Sequence, residues 1–530
     1  MTTSPHDSQA LPRHKRAWEW LRTPIGIGTA GTVIIALASI GAGAVRYRGG
    51  LTDALGLSFL TFGHGFAISE LTLWLGIALL VAGWVRLGVQ FFPLRAGADS
   101  PITDTTADFA PQMARIKRAL WLWVIPLALA GPLFSRDVYS YLMQGAMVRD
   151  GFDPYTQGAA VNSGPYLLEV SGDWRNTTTP YGPLHLCLGE GITTVVGNHV
   201  AAGVILFRIV AVLGFATICW AIPLIAKKLG ANPAFALWLG VLNPVVILHL
   251  VGGIHNDAIM VAFVSLALVV SLYSRNWIAL VGSAALIGVA VAVKATGVIA
   301  LPFLVWILVH RQRAHSASDT TTATHPVKYF FTLLPRAIVV GIAQVAVMLA
   351  TLAAITVASS QTWGWISEIS GNTKVVNPLA APSAAATVIS WLLSYFDDSL
   401  TFNVVVTYTR AISALMMVLG LVLCWVLFHQ NRRRSVAGIV AAYTVACVFN
   451  AVVLPWYYAS VLTLIGTVRP RLWVVRVTVF ATILLSFSFS GGGNNRFYEL
   501  PWMVVVTLIA FFTTRWLTAE KSRQPEYAAS

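Results

Sequence analysis

Charge is what this 530-residue chain has least of: Asp, Glu, Lys and Arg make up 11% of it, while 57% of its residues are hydrophobic. A soluble protein carries roughly a quarter charged residues, so there is too little polar surface here to coat a water-soluble globule. Cysteine is also scarce. Cys187, Cys219, Cys424 and Cys447 show no CxxC or metal-ligand spacing, and three of them fall within apolar segments, which argues against disulfides and structural zinc. No internal repeat is visible, which counts against the repeated halves of a transporter. No single basic face exists either: the net charge of +14 is spread in short clusters between apolar runs, so nucleic acid is not the expected partner. The first apolar run follows the basic stretch Arg13 to Arg22 but lacks a small-residue cleavage site, so it reads as a retained helix behind a polar tail.

What the chain does have is a succession of apolar runs, each long enough to cross a bilayer as a helix. Candidate spans cover 24–46, 71–92, 117–135, 203–226, 233–251, 254–273, 276–293, 296–310, 333–357, 403–428, 437–453, 456–468, 472–489 and 500–517. The expectation is an all-α polytopic membrane protein with about fourteen (13–15) transmembrane helices. With the N-terminus in the cytoplasm, every inner segment is basic, carrying Arg95, Arg115 to Arg118, Lys227 and Lys228, Arg275, Arg311 and Arg313, Arg432 to Arg434, Arg469 and Arg471, and Lys521 and Arg523. The outer segments collect Asp137, Asp150, Asp153, Glu169, Asp173, Glu368, Asp397 and Asp398. Stretches 182–198 and 382–397 would break this parity by crossing, so they are expected to lie at the outer interface. The organisation that follows is a tail (1–23), two N-terminal helices (24–116), a module (117–310) with a large outer loop (136–202), a cytoplasmic linker (311–332), C-terminal helices (333–517) and a tail (518–530).

The polar chemistry gathers on the outer side. Ser135 can cap a helix running to about Arg149 with Gly151 as its stop, which puts Asp137 in the first turn, where the helix dipole favours an ionised carboxylate. Asp137 is then either an available base or only a partner for helix-end amides. The turn-rich segments Gly151-Phe152-Asp153-Pro154-Tyr155 and Thr179-Pro180-Tyr181-Gly182-Pro183 carry aromatics that suit stacking on sugars or anchoring at the interface. His249, His255, Asn256 and Asp257 sit at the outer mouth of two adjacent helices, where ionisable residues are functional by default, although Asp257 also fits a helix N-terminus. Lys294, Arg208 and Arg410 lie near outer helix ends against the positive-inside trend; a lipid-linked phosphate would satisfy them, as would snorkelling toward phospholipid headgroups. Trp456, Tyr457 and Tyr458 are expected in an aromatic belt or a ligand groove at the same rim.

Across roughly residues 115 to 515, the segment Ser135 to Tyr155 with Tyr181-Gly182-Pro183, His255-Asn256-Asp257 and Trp456-Tyr457-Tyr458 resembles the GT-C glycosyltransferases, and within them the actinobacterial α-1,6-mannosyltransferases of the MptA/MptB group. The resemblance implies a GT-C fold and a plasma-membrane enzyme with its active site on the periplasmic side. It implies a polyprenyl-phosphate mannose donor and a phosphatidylinositol mannoside or lipomannan acceptor. In such enzymes an Asp of the first large outer loop is the catalytic base, which is Asp137 by position. The rim cations Lys294, Arg208 and Arg410, with His255, are then candidates for the donor phosphate. Arg136, Tyr139, Tyr141, Asp153, Tyr155, Tyr181, Asn256, Asp257, Trp456 and Tyr457 are candidates for sugar or acceptor. The two N-terminal helices look like an addition to the family pattern. Only Arg136-Asp137 stands where a DxD pair would be, so no cofactor is implied and a divalent metal has no support. Rivals are another polyprenyl-phosphate-sugar transferase, such as an arabinofuranosyl enzyme, and a lipid-linked-sugar flippase.

Overall fold

The computed structural model describes residues 19–92, 109–314, 326–371, 376, 378–397 and 399–518. The N-terminal tail to residue 18, Arg95, the Ser/Thr-rich part of the linker (315–325), Asp398 and the tail from 519 lie outside the described residues. Among the described residues there are helices and no strands, only one isolated bridge between Phe489 and Asn495. The chain is an all-α polytopic membrane protein. Its main helices are α1 (Pro24–Ala42), α2 (Gly63–Phe91), α3 (Ala110–Leu129), α4 (Asp137–Arg149), α5 (Pro183–Val196), α6 (Val200–Lys228), α7 (Pro233–Val241), α8 (Pro244–Gly252), α9 (Asp257–Tyr273), α10 (Asn276–Val293) and α11 (Leu301–Ala314). They continue with α12 (Pro326–Ala358), α13 (Ala381–Leu393), α14 (Phe402–Leu427), α15 (Arg432–Phe449), α16 (Ala459–Ile465), α17 (Leu472–Ser486) and α18 (Leu500–Thr518).

Seven of the described helices are long and apolar enough to cross a bilayer, and α7 with α8 makes an eighth span bent by 59°. That count is below the number of apolar runs because several runs are interrupted by their own residues. The expected span 233–251 breaks at Asn243-Pro244, where the Asn243 side chain accepts from Val245 N–H and donates to Thr482. Each half ends in an i→i+5 turn, closed by Leu242 N–H to Leu237 O and Gly253 N–H to Leu248 O, both at 2.8 Å. Lys294 adopts extended backbone and separates α10 from the 3₁₀ turn Ala295–Ala300 that leads into α11. The expected span 456–468 is the short α16 flanked by two 3₁₀ turns.

The stretches expected at the outer interface form the short helices α5 and α13, of 14 and 13 residues. α5 packs across α4 where Gly145 meets Gly189; a Cβ at Gly145 would overlap the Gly189 backbone. The segment after α1 is built into the 136–202 loop. Buried Glu169 pairs with Arg46 at 3.2 Å and Arg136 at 2.8 Å, and accepts from Tyr47 N–H, while Arg136 also bonds Val45 O and lies over the Tyr47 ring. The Tyr139 hydroxyl donates to Ala44 O at 2.8 Å. Three loop segments are then stitched below α4 by backbone bonds: Ala44 to Pro132, Leu133 to Gly252, and Phe134 to Gly491.

Candidate functional site

Five elements converge at the start of the 136–202 segment. α4 brings Asp137 and Tyr141 from its first turn; the Ser135 hydroxyl accepts from Asp137 N–H at 3.0 Å, and Gly151 at φ +86° follows the helix, as the sequence led one to expect. The turn between α8 and α9 brings His255, Asn256 and Asp257. The end of α10 brings Lys294, the start of α5 brings Tyr181 and His185, and the 3₁₀ turn Pro455–Tyr458 brings Trp456 and Tyr457. Two of these approaches are strained: Phe134, three residues before Asp137, and Ile254, next to His255, both hold left-handed backbone at φ +63° and +58°. A β-branched residue there is an outlier costing about 1–3 kcal/mol, the kind of strain that collects at functional sites.

The contacts form two pairs. Lys294 Nζ donates to both Asp257 carboxylate oxygens, at 2.8 and 2.9 Å, and sits 4.0 Å from the centre of the Tyr457 ring. His255 Nδ1 lies 3.4 Å from Asp137 Oδ2, and its ring is stacked on Trp456 at 3.6 Å and 13°. Tyr141 links Asp137 to Asn256, its hydroxyl lying 3.3 Å from Asp137 Oδ2 and 3.4 Å from Asn256 Oδ1; Asn256 in turn meets His185 Nδ1 at 3.4 Å. Tyr141, Tyr181 and His185 pack ring to ring. Gly182 lets this segment run against the α10 backbone, since a Cβ there would overlap Ala292 O.

Of these side chains, Asp137 keeps an opening: it is 15% exposed, whereas His255 is 0% and Asp257 2%. Burial pushes the Asp137 carboxyl up, but contact with His255, the Ser135 hydroxyl and the charge on Lys294 together outweigh it and hold it below the ordinary carboxylate range. It is ionised at neutral pH. Burial, with Lys294 beside it, pushes the His185 ring down to about 3, so His185 is neutral there. A charged, partly accessible carboxylate beside a buried cation can take a proton from a hydroxyl while positive charge waits close by for an anion. Among the described residues, no three His, Cys, Asp or Glu side chains gather as a metal site, and the second carboxylate, Asp257, is engaged by Lys294.

The structure brings Asp137, Tyr141, Tyr181, His255, Asn256, Asp257, Lys294, Trp456 and Tyr457 together, and takes other expected site residues elsewhere. Arg208 reaches back to the carbonyls of Ala128 and Ala130 that end α3, a helix C-terminus that attracts a cation. Arg410 stands on α14, whose main partners are α13 and α15. Arg136 and Tyr139 are taken up by Glu169 and Ala44, and Asp153 organises its own turn by accepting from Tyr155 N–H and Thr156. Tyr155 is turned inward against Gly364 instead of facing water. Trp456 is buried against His255 instead of lying in a lipid-facing belt. Sequence reasoning passed over His185, whose only signal is a lone His in a short apolar helix after a Pro-Tyr-Gly-Pro turn.

The chain matches a family described as alpha-(1→6)-mannopyranosyltransferase, N-terminal domain, over residues 25–310, and an MptB C-terminal domain over residues 380–519. It is 50% identical to alpha-(1→6)-mannopyranosyltransferase A of Corynebacterium glutamicum over 91% of this chain and 95% of that protein. It is 32% identical to alpha-(1→6)-mannopyranosyltransferase A of Mycobacterium tuberculosis, over 94% and 90% of the two chains. Identity to alpha-(1→6)-mannopyranosyltransferase B of Corynebacterium glutamicum is 28%, over 84% and 72%.

Proposed function

The chain belongs to the alpha-(1→6)-mannopyranosyltransferase family, and from that premise we propose that it draws mannose from polyprenyl-phosphate mannose and adds it to a phosphatidylinositol mannoside or lipomannan at the outer face of the plasma membrane. Mannosyl transfer in the α-1,6 linkage is the family's activity, and the chain is a glycosyltransferase. The donor, the acceptor, the orientation and the residue roles are our reading. The observation that carries it is the ionised, partly open Asp137 at the head of the outer loop, with the Lys294–Asp257 pair close beside it. Basic residues on the opposite side of the helices support an outward-facing site, and nucleotide sugars do not reach that side, so the donor has to be membrane-borne.

In this reading the acceptor's 6-hydroxyl attacks the anomeric carbon as the bond from that carbon to the phosphate oxygen breaks. The hydroxyl proton goes to Asp137, and the electron pair leaves with the phosphate. A β-linked donor then gives an α-linked product in one displacement. General base catalysis of this kind contributes typically ~10²–10⁴ in rate. Lys294 has three N–H donors, two of them on Asp257, and the third is assigned to the departing phosphate. His255 holds the Asp137 carboxylate, in place of a direct role at the phosphate. In this reading Lys294 supplies the positive charge at the departing phosphate.

The test is the purified protein with polyprenyl-phosphate mannose and a short α-1,6-mannoside lipid, followed by linkage analysis. We expect a new α-1,6 bond and release of polyprenyl phosphate, with a nucleotide-linked mannose inert as donor. Transfer from the nucleotide donor alone would overturn the reading. A Ser163→Cys variant should label from outside with a membrane-impermeant thiol reagent; labelling only after lysis would place the loop, and the site, on the wrong side.

A further inference from the structure

The linker between α3 and α4, residues 130–136, is tied along its length to parts of the chain far away in sequence. Pro132 O accepts from Ala44 N–H at 2.7 Å, Leu133 N–H donates to Gly252 O at 3.0 Å, and Phe134 N–H donates to Gly491 O at 2.7 Å. Gly493, at φ +104°, lies so close that an added Cβ would stand 3.1 Å from Ser135 Cα. Arg136, the last residue before Asp137, is held hardest. Its Nε donates to Glu169 O, its Nη1 to Val45 O and its Nη2 to Glu169 Oε2, each at 2.8 Å. Its guanidinium lies over the rings of Tyr47 and Tyr139, at 3.8 and 4.8 Å. Glu169 is itself fixed by Arg46 and by Tyr47 N–H.

These ties are shorter than the contacts the Asp137 carboxylate makes for itself. Oδ2 has the Tyr141 hydroxyl at 3.3 Å and His255 Nδ1 at 3.4 Å, beyond the usual range of a strong hydrogen bond, so they constrain the carboxylate loosely. Its place is set by the backbone that carries it. Arg136 is the N-cap of α4, and its carbonyl accepts from Tyr139 N–H at 3.1 Å in the first turn, so a shift of Arg136 carries Asp137 with it. The charge-assisted fork of Arg136 on Glu169 is the strongest of the ties. We propose that Arg136 is a positioning residue for the transfer reaction, gripped by Glu169 and by Ala44 to Tyr47, and that the segment after α1 thereby sets the distance between Asp137 and the acceptor hydroxyl. The assignment rests on the reading of Asp137 as the base. It gives the N-terminal segment a part in the reaction, although no contact of Arg136 reaches the Asp137 carboxylate itself.

The experiment uses the purified full chain with polyprenyl-phosphate mannose and a short α-1,6-mannoside lipid. Arg136→Lys and Tyr47→Leu are each compared with the unsubstituted residue on two backgrounds, wild type and Asp137→Asn. Lys keeps the charge that Glu169 requires but brings one nitrogen to three acceptors. Tyr47 is 62% exposed, so Tyr47→Leu leaves the fold intact and carries the test if Arg136→Lys folds poorly. With Asp137 present, Arg136→Lys should lower the single-turnover rate about 10- to 100-fold, the cost of misplacing a reacting group by about an ångström, with donor and acceptor KM within about twofold. Tyr47→Leu should lower it about two- to fivefold, the worth of one exposed cation–π contact. In the Asp137→Asn background neither substitution should cost anything more, because the group they position no longer takes the proton. An undiminished rate for both with Asp137 present, the same fall on both backgrounds, or a loss carried by acceptor KM would each overturn the assignment. Asp137→Asn at the wild-type rate would instead strike the reading of the base, and this assignment with it.

Discussion

Replacing Lys294 with Met should damage stability and activity by separate routes, and the two can be told apart. Lys294 and Asp257 are 10% and 2% exposed at the side chain and meet at 2.8 and 2.9 Å. At an effective dielectric near 20 the Coulomb attraction at that separation is about 6 kcal/mol before desolvation, and desolvation of both ions offsets much of it. Removing one partner keeps the desolvation and loses the attraction. Lys294→Met and Asp257→Asn should therefore each cost about 3–5 kcal/mol, because each leaves a buried charge without its partner. The double variant buries no charge and should fall within about 1 kcal/mol of the wild type, a large coupling in a double-mutant cycle. All three should lose mannosyl transfer, since no cation remains at the phosphate or its position is lost. The assay is equilibrium unfolding in micelles alongside transfer from the lipid donor. Single variants as stable as the wild type, or a double variant less stable than both singles, would refute the argument.

Three further outcomes follow from the same geometry. Asp137 has a folded pKa below its unfolded value, so its ionised form, and the stability it contributes, persist above the ordinary carboxylate range and are lost as pH falls through the folded value. His255→Asn removes the contact that offsets burial, so the acid limb of kcat/KM should move to higher pH in a pH–rate profile; an unmoved limb would mean His255 does not hold the carboxylate. Glu169→Gln leaves Arg46 and Arg136 facing a neutral group and should cost about 3 kcal/mol in micellar unfolding while loosening the N-terminal helices toward protease, a loss absent if the clamp is ornamental. Excess chelator should leave turnover unchanged, because Lys294 carries the charge that a metal would supply; abolition that added magnesium reverses would contradict this.

Much of the helical architecture was legible because lipid permits so few solutions: long apolar runs become helices. The stop of helix α4 at Gly151 was legible because it acts locally, whereas the N-cap is Arg136 and Ser135 stands one residue before it, accepting from Asp137 N–H. Breaks were harder. Asn243-Pro244 sits within a continuous apolar run, and only the turn chemistry of that dipeptide signals the 59° bend. At the site, Asp137, His255, Asn256, Asp257 and Lys294 stood out as polar residues at apolar helix ends, but their pairings did not. Lys294 finds Asp257 across 37 residues and Arg46 finds Glu169 across 123, separations that carry no periodic signal. Arg136 and Arg208 show the converse. A cation near an outer helix end looks the same in sequence whether it meets a ligand, a carboxylate or the carbonyls of a neighbouring helix, and here the second and third won.

The most direct measurement is Asp137→Asn in the purified protein, reading donor affinity and single-turnover rate together. The substitution keeps shape and removes only the capacity to accept a proton, so donor affinity should stay within about twofold while the rate falls by ~10²–10⁴. Transfer at the wild-type rate would mean that the proton leaves the acceptor by another path, and the assignment of the carboxylate at the head of α4 would be wrong.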